Sequence, residues 1–283
     1  MPGSTTRKNK LNALTQVQDL IDQILYTAQI LKEEKDLSPK NPLITETLSS
    51  FVQNITHAQK SMSEDNKTSI LESPVVNALY PTLLEGLSKA EYEMELYFSN
   101  LFLEKDTLDD NNLEEFWYLQ NYKDLIDIEL EQISLTDNAK DIVFIGSGPL
   151  PLSAIIMQQK TNRNIICIDQ DSSAVNRGER LVEKLGLSDK IQFKHLPGHL
   201  YDFKKAGTVL IASLVQDKGI IIPQILKTST KPPQIAMRSA QGLNTLLYSP
   251  VKKSILKEFN VVAKFETRPT PKVINSTVFC VIK

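Results

Sequence analysis

Apolar positions change their period once along this chain. From about Leu11 to Leu135 they recur every three or four residues and β-branched runs are rare, as in helices that bury one face. The pattern is interrupted at Ser38-Pro39-Lys40-Asn41-Pro42, over the polar stretch 61–69, and at Asp106-Thr107-Leu108-Asp109-Asp110-Asn111-Asn112. Between these marks the spacing predicts helices that include 14–35, 43–60, 80–104 and 112–133, after a frayed tail over 1–10. Beyond a linker, Leu135-Thr136-Asp137-Asn138-Ala139-Lys140, strand-like runs take over at Asp141–Ile145, Asn164–Ile168, Ile191–Lys194, Thr208–Ala212, Gln234–Arg238, Val261–Glu266 and Ser276–Ile282. Helical stretches separate the early runs, such as Ala174–Leu185, with Gly186 placed to close it. Strand and helix alternating at this spacing build βαβ units and a parallel, doubly wound sheet. The last two runs are joined by a short connection, which predicts an antiparallel hairpin at one edge. The expected class is α/β, with an all-helical domain over 1–138 and a seven-stranded domain over 139–283.

Composition narrows the class. At 283 residues, 41% hydrophobic and 23% charged, the chain can bury a proper core, which excludes a disordered or fibrous protein. No apolar run approaches the roughly 18–20 residues of a membrane span, and the polar start Met1–Lys8 lacks a signal-peptide core, so a cytoplasmic protein off the membrane is expected. The net charge of −2 conceals a division: 11 basic against 24 acidic residues up to Asn138, then 21 against 10. That asymmetry argues for two units of different character. The lysines of the second half are scattered, with no basic stripe interleaved with aromatics, so no nucleic-acid partner is expected. Cys167 and Cys280 sit in apolar runs and read as buried thiols. His57, His195 and His199 have no metal-ligand spacing, and no metal site is expected.

The sharpest motif is Ile142-Val143-Phe144-Ile145-Gly146-Ser147-Gly148-Pro149-Leu150-Pro151-Leu152, a hydrophobic strand running into Gly-x-Gly and then an apolar helix. Gly146 allows the tight turn and Gly148 lets backbone approach a ligand. Asp169 ends the second strand, where a carboxylate can accept both hydroxyls of a ribose. The dinucleotide fingerprint wants a third glycine where Pro151 stands, and Pro149 and Pro151 remove two N–H donors that a pyrophosphate would need. A nucleoside without phosphate fits better. Seven strands with a closing hairpin likewise match the Rossmann-like fold of S-adenosylmethionine-dependent transferases better than the six-stranded dinucleotide fold.

The turn Gly146-Ser147-Gly148-Pro149-Leu150-Pro151-Leu152 resembles the signature of nicotianamine synthases and of the related bacterial enzymes that make opine-type metallophores such as staphylopine. Further stretches agree: Met237-Arg238-Ser239-Ala240-Gln241-Gly242, Leu247-Tyr248, Arg268-Pro269-Thr270-Pro271-Lys272-Val273-Ile274-Asn275-Ser276, and, earlier, Ala90-Glu91-Tyr92, Tyr97-Phe98-Ser99 and Asn121-Tyr122. The resemblance runs from about Leu83 to the C-terminus. It implies a transferase that moves the 3-amino-3-carboxypropyl group of S-adenosylmethionine, as substrate, onto a small amine or amino acid. Methylthioadenosine would leave, and the product would chelate metal. It also implies that Gly146, Ser147, Gly148, Pro149, Leu150, Asp169, Gly198, His199 and Arg238 contact the nucleoside substrate, with a helical domain as lid. The chain departs from the usual pattern of this fold at Gly198-His199, where an acid commonly follows the glycine. A homodimer is left open.

The helical half offers its own chemistry. Leu84, Leu87, Glu91, Met94, Phe98 and Leu101 advance by three or four and form one stripe, in which Glu91 is a lone carboxylate. It reads either as an edge residue reaching water or as a group that deprotonates or anchors an amine. The resemblance places a key glutamate there and singles out Tyr122, whose hydroxyl would orient the amine or relay its proton, so Glu91 and Tyr122 are the expected catalytic residues. Glu95, one turn on, reads as a contributor or as part of a solvated flank with Glu93. Arg238, ending the fifth strand, reads either as a fork for a carboxylate of substrate or cofactor or as the partner of an Asp from the helical half. Two rivals remain: a methyltransferase in the same fold, and a nucleoside-binding protein without catalysis.

Overall fold

The computed structural model describes residues 3–134, 140–258, 261–266 and 273–282; the linker expected over 135–140, except Lys140, and the stretch 268–272 lie outside them. By packing, the chain forms two compact units, Met1–Met94 with Gly242–Tyr248, and Glu95–Gln241 with Ser249–Lys283. The boundary expected at 138/139 follows the change of hydrophobic period. Packing divides the chain at 94/95 instead, inside one continuous helix, because the side chains after that point bury within the sheet unit.

The helical unit contains α1 (Gly3–Glu33), α2 (Pro42–Ser61), α3 (Glu64–Leu71) and the first part of α4 (Pro74–Glu104). In α1 the residues Leu20, Ile24, Ala28 and Leu31 are buried, and in α2 Ile44, Thr47, Phe51, Ile55 and Ala58, each set advancing by three, four or seven. Asn41 starts α2 by accepting from Leu43 N, with Pro42 at the first helical position, where its missing N–H costs nothing. The stretch 61–69, read as a break, folds as α3: Ser63 accepts from Asn66 N, and Glu64 and Asp65 favour the helix N-terminus. Helix α4 begins at Pro74 rather than 80 and carries Pro81 inside it, on the exposed side where solvent can serve the freed carbonyl. A Cβ on Gly86 would lie 2.7 Å from Leu31 Cβ, so the glycine permits the close approach of α4 to α1. The segment 242–246 is a 3-10 turn in which Leu243 N donates to Gln59 Oε1 at 2.6 Å.

The sheet unit contains the end of α4, then α5 (Asp110–Leu113) and α6 (Leu119–Leu130), where a single helix over 112–133 was expected. A capping box between Asp109 and Asn112 starts α5, which ends at Leu113. Then follow β1 (Asp141–Ile145), α7 (Leu152–Thr161), β2 (Ile165–Asp169), α8 (Ser172–Lys184), β3 (Ile191–His195), β4 (Ala206–Ile211), α9 (Ile221–Thr228), β5 (Gln234–Ser239), α10 (Lys253–Glu258), β6 (Val261–Glu266) and β7 (Ser276–Ile282). The seven strands lie in the order β3-β2-β1-β4-β5-β7-β6. The first five are parallel, and β7 runs antiparallel between β5 and β6, as the short final connection predicts. One core cluster joins Val143, Ile145, Ile166, Ile168, Val209, Ile211, Ile235 and Met237 to Phe203, Ile222 and Ile225. Every residue of α7 from Leu152 to Gln158 is buried, because the helix packs on β2 and β3 and is covered by α6. No helix among the described residues is long and apolar enough to cross a membrane.

Candidate functional site

Strand β1 ends in the glycine turn, and both glycines adopt backbone angles that side chains resist, φ 78° at Gly146 and 66° at Gly148. Gly146 N donates to Ile168 O at 2.8 Å, and Gly148 N donates to Asp169 Oδ2 at 2.9 Å. Asp169 Oδ1 accepts from Asp171 N at 3.0 Å. Asp169 therefore braces the turn from the end of β2 while each oxygen keeps a second acceptor position for a ligand hydroxyl. Both glycines are tightly faced. A Cβ on Gly146 would come within 2.6 Å of Val215 Cγ2, and one on Gly148 would run into the Glu95 carboxylate, Oε2 first.

A carboxylate that meets the glycine turn is thus Glu95, which was expected only as a contributor beside Glu91. Tyr122 OH donates to Glu95 Oε1 at 3.0 Å. Its ring is held by packing, 6.0 Å from Phe116 and 6.0 Å from Tyr118, within an aromatic cluster that includes Phe98 and Trp117. Glu91 lies one turn earlier on α4, half-buried, beside the buried positions Leu83, Gly86 and Ala90. The buried stripe of this helix is therefore rotated by one residue from the one expected through Leu84, Leu87 and Glu91.

Arg238 is committed elsewhere. Its Nε and one Nη each donate to Glu129 at 3.0 Å, Thr277 Oγ1 donates to Glu129 Oε1 at 2.8 Å, and the guanidinium lies 5.3 Å from the centroid of Phe144. Glu129 is 0% and Arg238 5% exposed. Of the two readings of Arg238, the one realised between side chains is the pairing with an acid of the helical half, a glutamate from α6 where an Asp was expected. Gly198 also has a packing reason: a Cβ there would lie 2.8 Å from Ile145 Cγ2. His199 follows it in a 3-10 turn and is half-exposed.

Ser147, Pro149 and Leu150 are buried in the turn. Burial, with the Asp169 charge adding to it, pushes the Cys167 thiol far above its usual range, so it is an inert core group. Ser153, in the first turn of α7, is buried and its hydroxyl has no hydrogen-bond partner. The acceptor positions left on Asp169 fit the hydroxyls of a nucleoside. Among the described residues no cluster of His, Cys, Asp and Glu could hold a metal ion.

Sequence reasoning missed Val215 and Lys218, in the loop after β4. Lys218 is 4% exposed, and burial lowers its ammonium to about 8. Nothing in the local pattern distinguishes this lysine from the scattered surface ones. Glu95 had a legible signal: it stands four residues after Glu91, hence on nearly the same helical face.

A family model described as "Nicotianamine synthase protein" matches residues 13–282. The L-histidine 2-aminobutanoyltransferase of Pseudomonas aeruginosa (strain UCBPP-PA14) is 29% identical over 153 residues, which are 54% of this chain and 58% of that relative. Nicotianamine synthase 2 of Arabidopsis thaliana is 27% identical over 278 residues, 93% of this chain and 81% of the plant protein. The match thus spans little over half the length of the bacterial relative. The solved structure of MtNAS in complex with MTA and tNA has a TM-score of 0.79 and 18% identity, covering 93% of this chain and 97% of that one. That likeness establishes a shared fold.

Proposed function

The chain belongs to the nicotianamine synthase family, and on that premise we propose that it transfers the 3-amino-3-carboxypropyl group of S-adenosylmethionine to the amine of an amino-acid acceptor. The by-product is methylthioadenosine and the product a metal-chelating metallophore, either nicotianamine-like or primed by histidine. The observation that carries this reading is the Glu95–Tyr122 pair set against the Gly148 turn. The activities named for the bacterial and plant relatives support it.

When bound, S-adenosylmethionine supplies a carbon activated by its sulfonium, and the C–S electron pair leaves on sulfur as the thioether of methylthioadenosine. Glu95 takes the proton that the amine nitrogen loses as it bonds to that carbon. This role, expected of Glu91, is assigned to Glu95 because Tyr122 and the turn both meet it. Tyr122 fixes Oε1 and so directs Oε2 toward Gly148. Asp169 accepts the ribose hydroxyls while holding the turn. Gly146, Ser147, Gly148, Pro149 and Leu150 present a backbone close to the nucleoside, and the turn at Gly198 and His199 neighbours the adenine. Most of the rate then comes from alignment of amine and carbon, which intramolecular models value at many powers of ten, and proton removal adds about 10²–10⁴-fold.

Mass spectrometry of products from S-adenosylmethionine and a panel of amino acids tests the reading. Methylthioadenosine should accumulate with an acceptor heavier by one aminocarboxypropyl group. S-adenosylhomocysteine as the sole nucleoside product would overturn it in favour of methyl transfer.

A further inference from the structure

Lys218 carries a buried positive charge with no paired carboxylate among the described residues. Such a charge is costly, and desolvation alone draws the ammonium down to about 8. What offsets the cost is visible: Nζ donates to Ser213 O at 3.1 Å and to Val215 O at 2.8 Å. Both carbonyls belong to the loop 212–217, which leaves the C-terminal end of β4 beside β1. A second tie reaches the same loop from the segment before β7, where Asn275 Nδ2 donates to Ser213 Oγ at 2.6 Å. Between the two ties, Val215 N bonds Ala212 O at 3.4 Å, and the side chains of Val215 and Ala212 are the groups that face Gly146.

Open α/β sheets take ligands outside the C-terminal ends of their strands, so this loop forms a wall beside the glycine turn. We propose that Lys218 is a positioning residue that clamps loop 212–217 against Gly146 and thereby sets the affinity for S-adenosylmethionine. The inference rests on the functional reading above and adds a residue to it. Lys218 touches no reacting group. It acts through Val215, whose methyl fixes how far the turn can open.

The test is Lys218→Met, which keeps the length of the side chain and removes its donors and charge. The folded variant, checked by circular dichroism and melting, should show KM and calorimetric Kd for S-adenosylmethionine raised about tenfold, the scale of one or two hydrogen bonds to a charged donor. Its kcat should change less than about twofold, since the chemistry at Glu95 is untouched. The melting temperature should hold or rise, because a buried unpaired charge is gone. Val215→Ala, which leaves the ammonium in place, should raise KM in the same direction. A lowered melting temperature with unchanged affinity in Lys218→Met would overturn the proposal, leaving Lys218 a structural residue only. Should that variant not fold, an unchanged KM in Val215→Ala overturns it instead. Absence of S-adenosylmethionine binding by the unaltered protein would remove the functional reading and this inference together, whereas binding that neither variant alters removes this inference alone.

Discussion

Glu129 and Glu95, two of the carboxylates in the sheet unit that meet a donor from another element, are opposites. Glu129 is sealed: it takes both arms of Arg238 and the hydroxyl of Thr277 at no exposure at all. Glu95 is half-buried, takes the hydroxyl of Tyr122, and lies against backbone that has no side chain. The first arrangement satisfies a buried charge and ties α6 to β5 and β7. Its geometry leaves no approach for a ligand. The second holds a half-buried carboxylate in place against the glycine turn that follows strand β1. The proposed function casts the sealed acid as structural and the half-buried one as the acid that works.

The largest test of that contrast is Glu129→Ala. Removing the carboxylate beside a buried guanidinium should destabilise the protein by about 3–5 kcal/mol, read by chemical denaturation. The fraction that folds should bind S-adenosylmethionine normally. Loss of turnover at unchanged stability would reverse the contrast and put Glu129 in the chemistry.

Next in size is Glu95→Gln. Turnover should fall about 10²-fold or more, the scale of a lost general base, while the denaturation midpoint stays close to that of the parent. Glu91→Gln sharpens the assignment, because it removes a carboxylate one turn earlier on the same helix. Steady-state kinetics should show it losing much less. If Glu91→Gln costs more than Glu95→Gln, the carboxylate role belongs to the earlier position.

Much of this was legible beforehand, and the exceptions have physical causes. The seven strands, their parallel run and the antiparallel close follow from period, spacing and the short last connection. The turn at Gly146–Leu152 and Asp169 follow from residues whose chemistry is local. Helix α3 was missed because its eight residues are mostly polar, so capping by Ser63 makes it a helix where periodicity gives no sign. The choice between Glu91 and Glu95 turned on one residue of helical phase, and Gly86 and Ala90 shift the buried face without adding hydrophobic signal. Arg238 ends a strand like a ligand-binding residue, and only the fold reveals that Glu129, 109 positions away, takes its fork. Long-range polar pairs leave no periodic trace.

Gly148→Ala probes the contact between the glycine turn and the Glu95 carboxylate. An added Cβ meets a positive φ and the Glu95 carboxylate together. The backbone penalty is about 1–2 kcal/mol, and displacement of Glu95 should lower turnover by about tenfold or more. Gly186→Ala is the matched control: its φ is 68° and nothing lies within 4 Å of an added Cβ. It should lose about 1 kcal/mol of stability and no activity. Equal activity losses in the two variants would mean that backbone strain, and not the contact with Glu95, explains the effect.

Tyr122→Phe is the smallest and most specific change. It keeps the ring that packs on Phe116 and Tyr118 and removes only the hydroxyl that donates to Glu95 Oε1. A hydrogen bond to a charged group contributes about 1.5–3 kcal/mol when buried, and exposure to solvent at a half-buried carboxylate should hold it near or below the lower figure. If Tyr122 orients Glu95, turnover should therefore fall by up to about tenfold, and the loss should vanish in a Glu95→Gln background, where there is no base left to orient. Independent, multiplying losses in the double variant would instead show that Tyr122 acts on the substrate directly. Stability should move by less than about 1 kcal/mol, since the packing is unchanged. A double-mutant cycle in kcat, run on folded protein, distinguishes these outcomes and decides whether the donor belongs to the acid or to the acceptor amine.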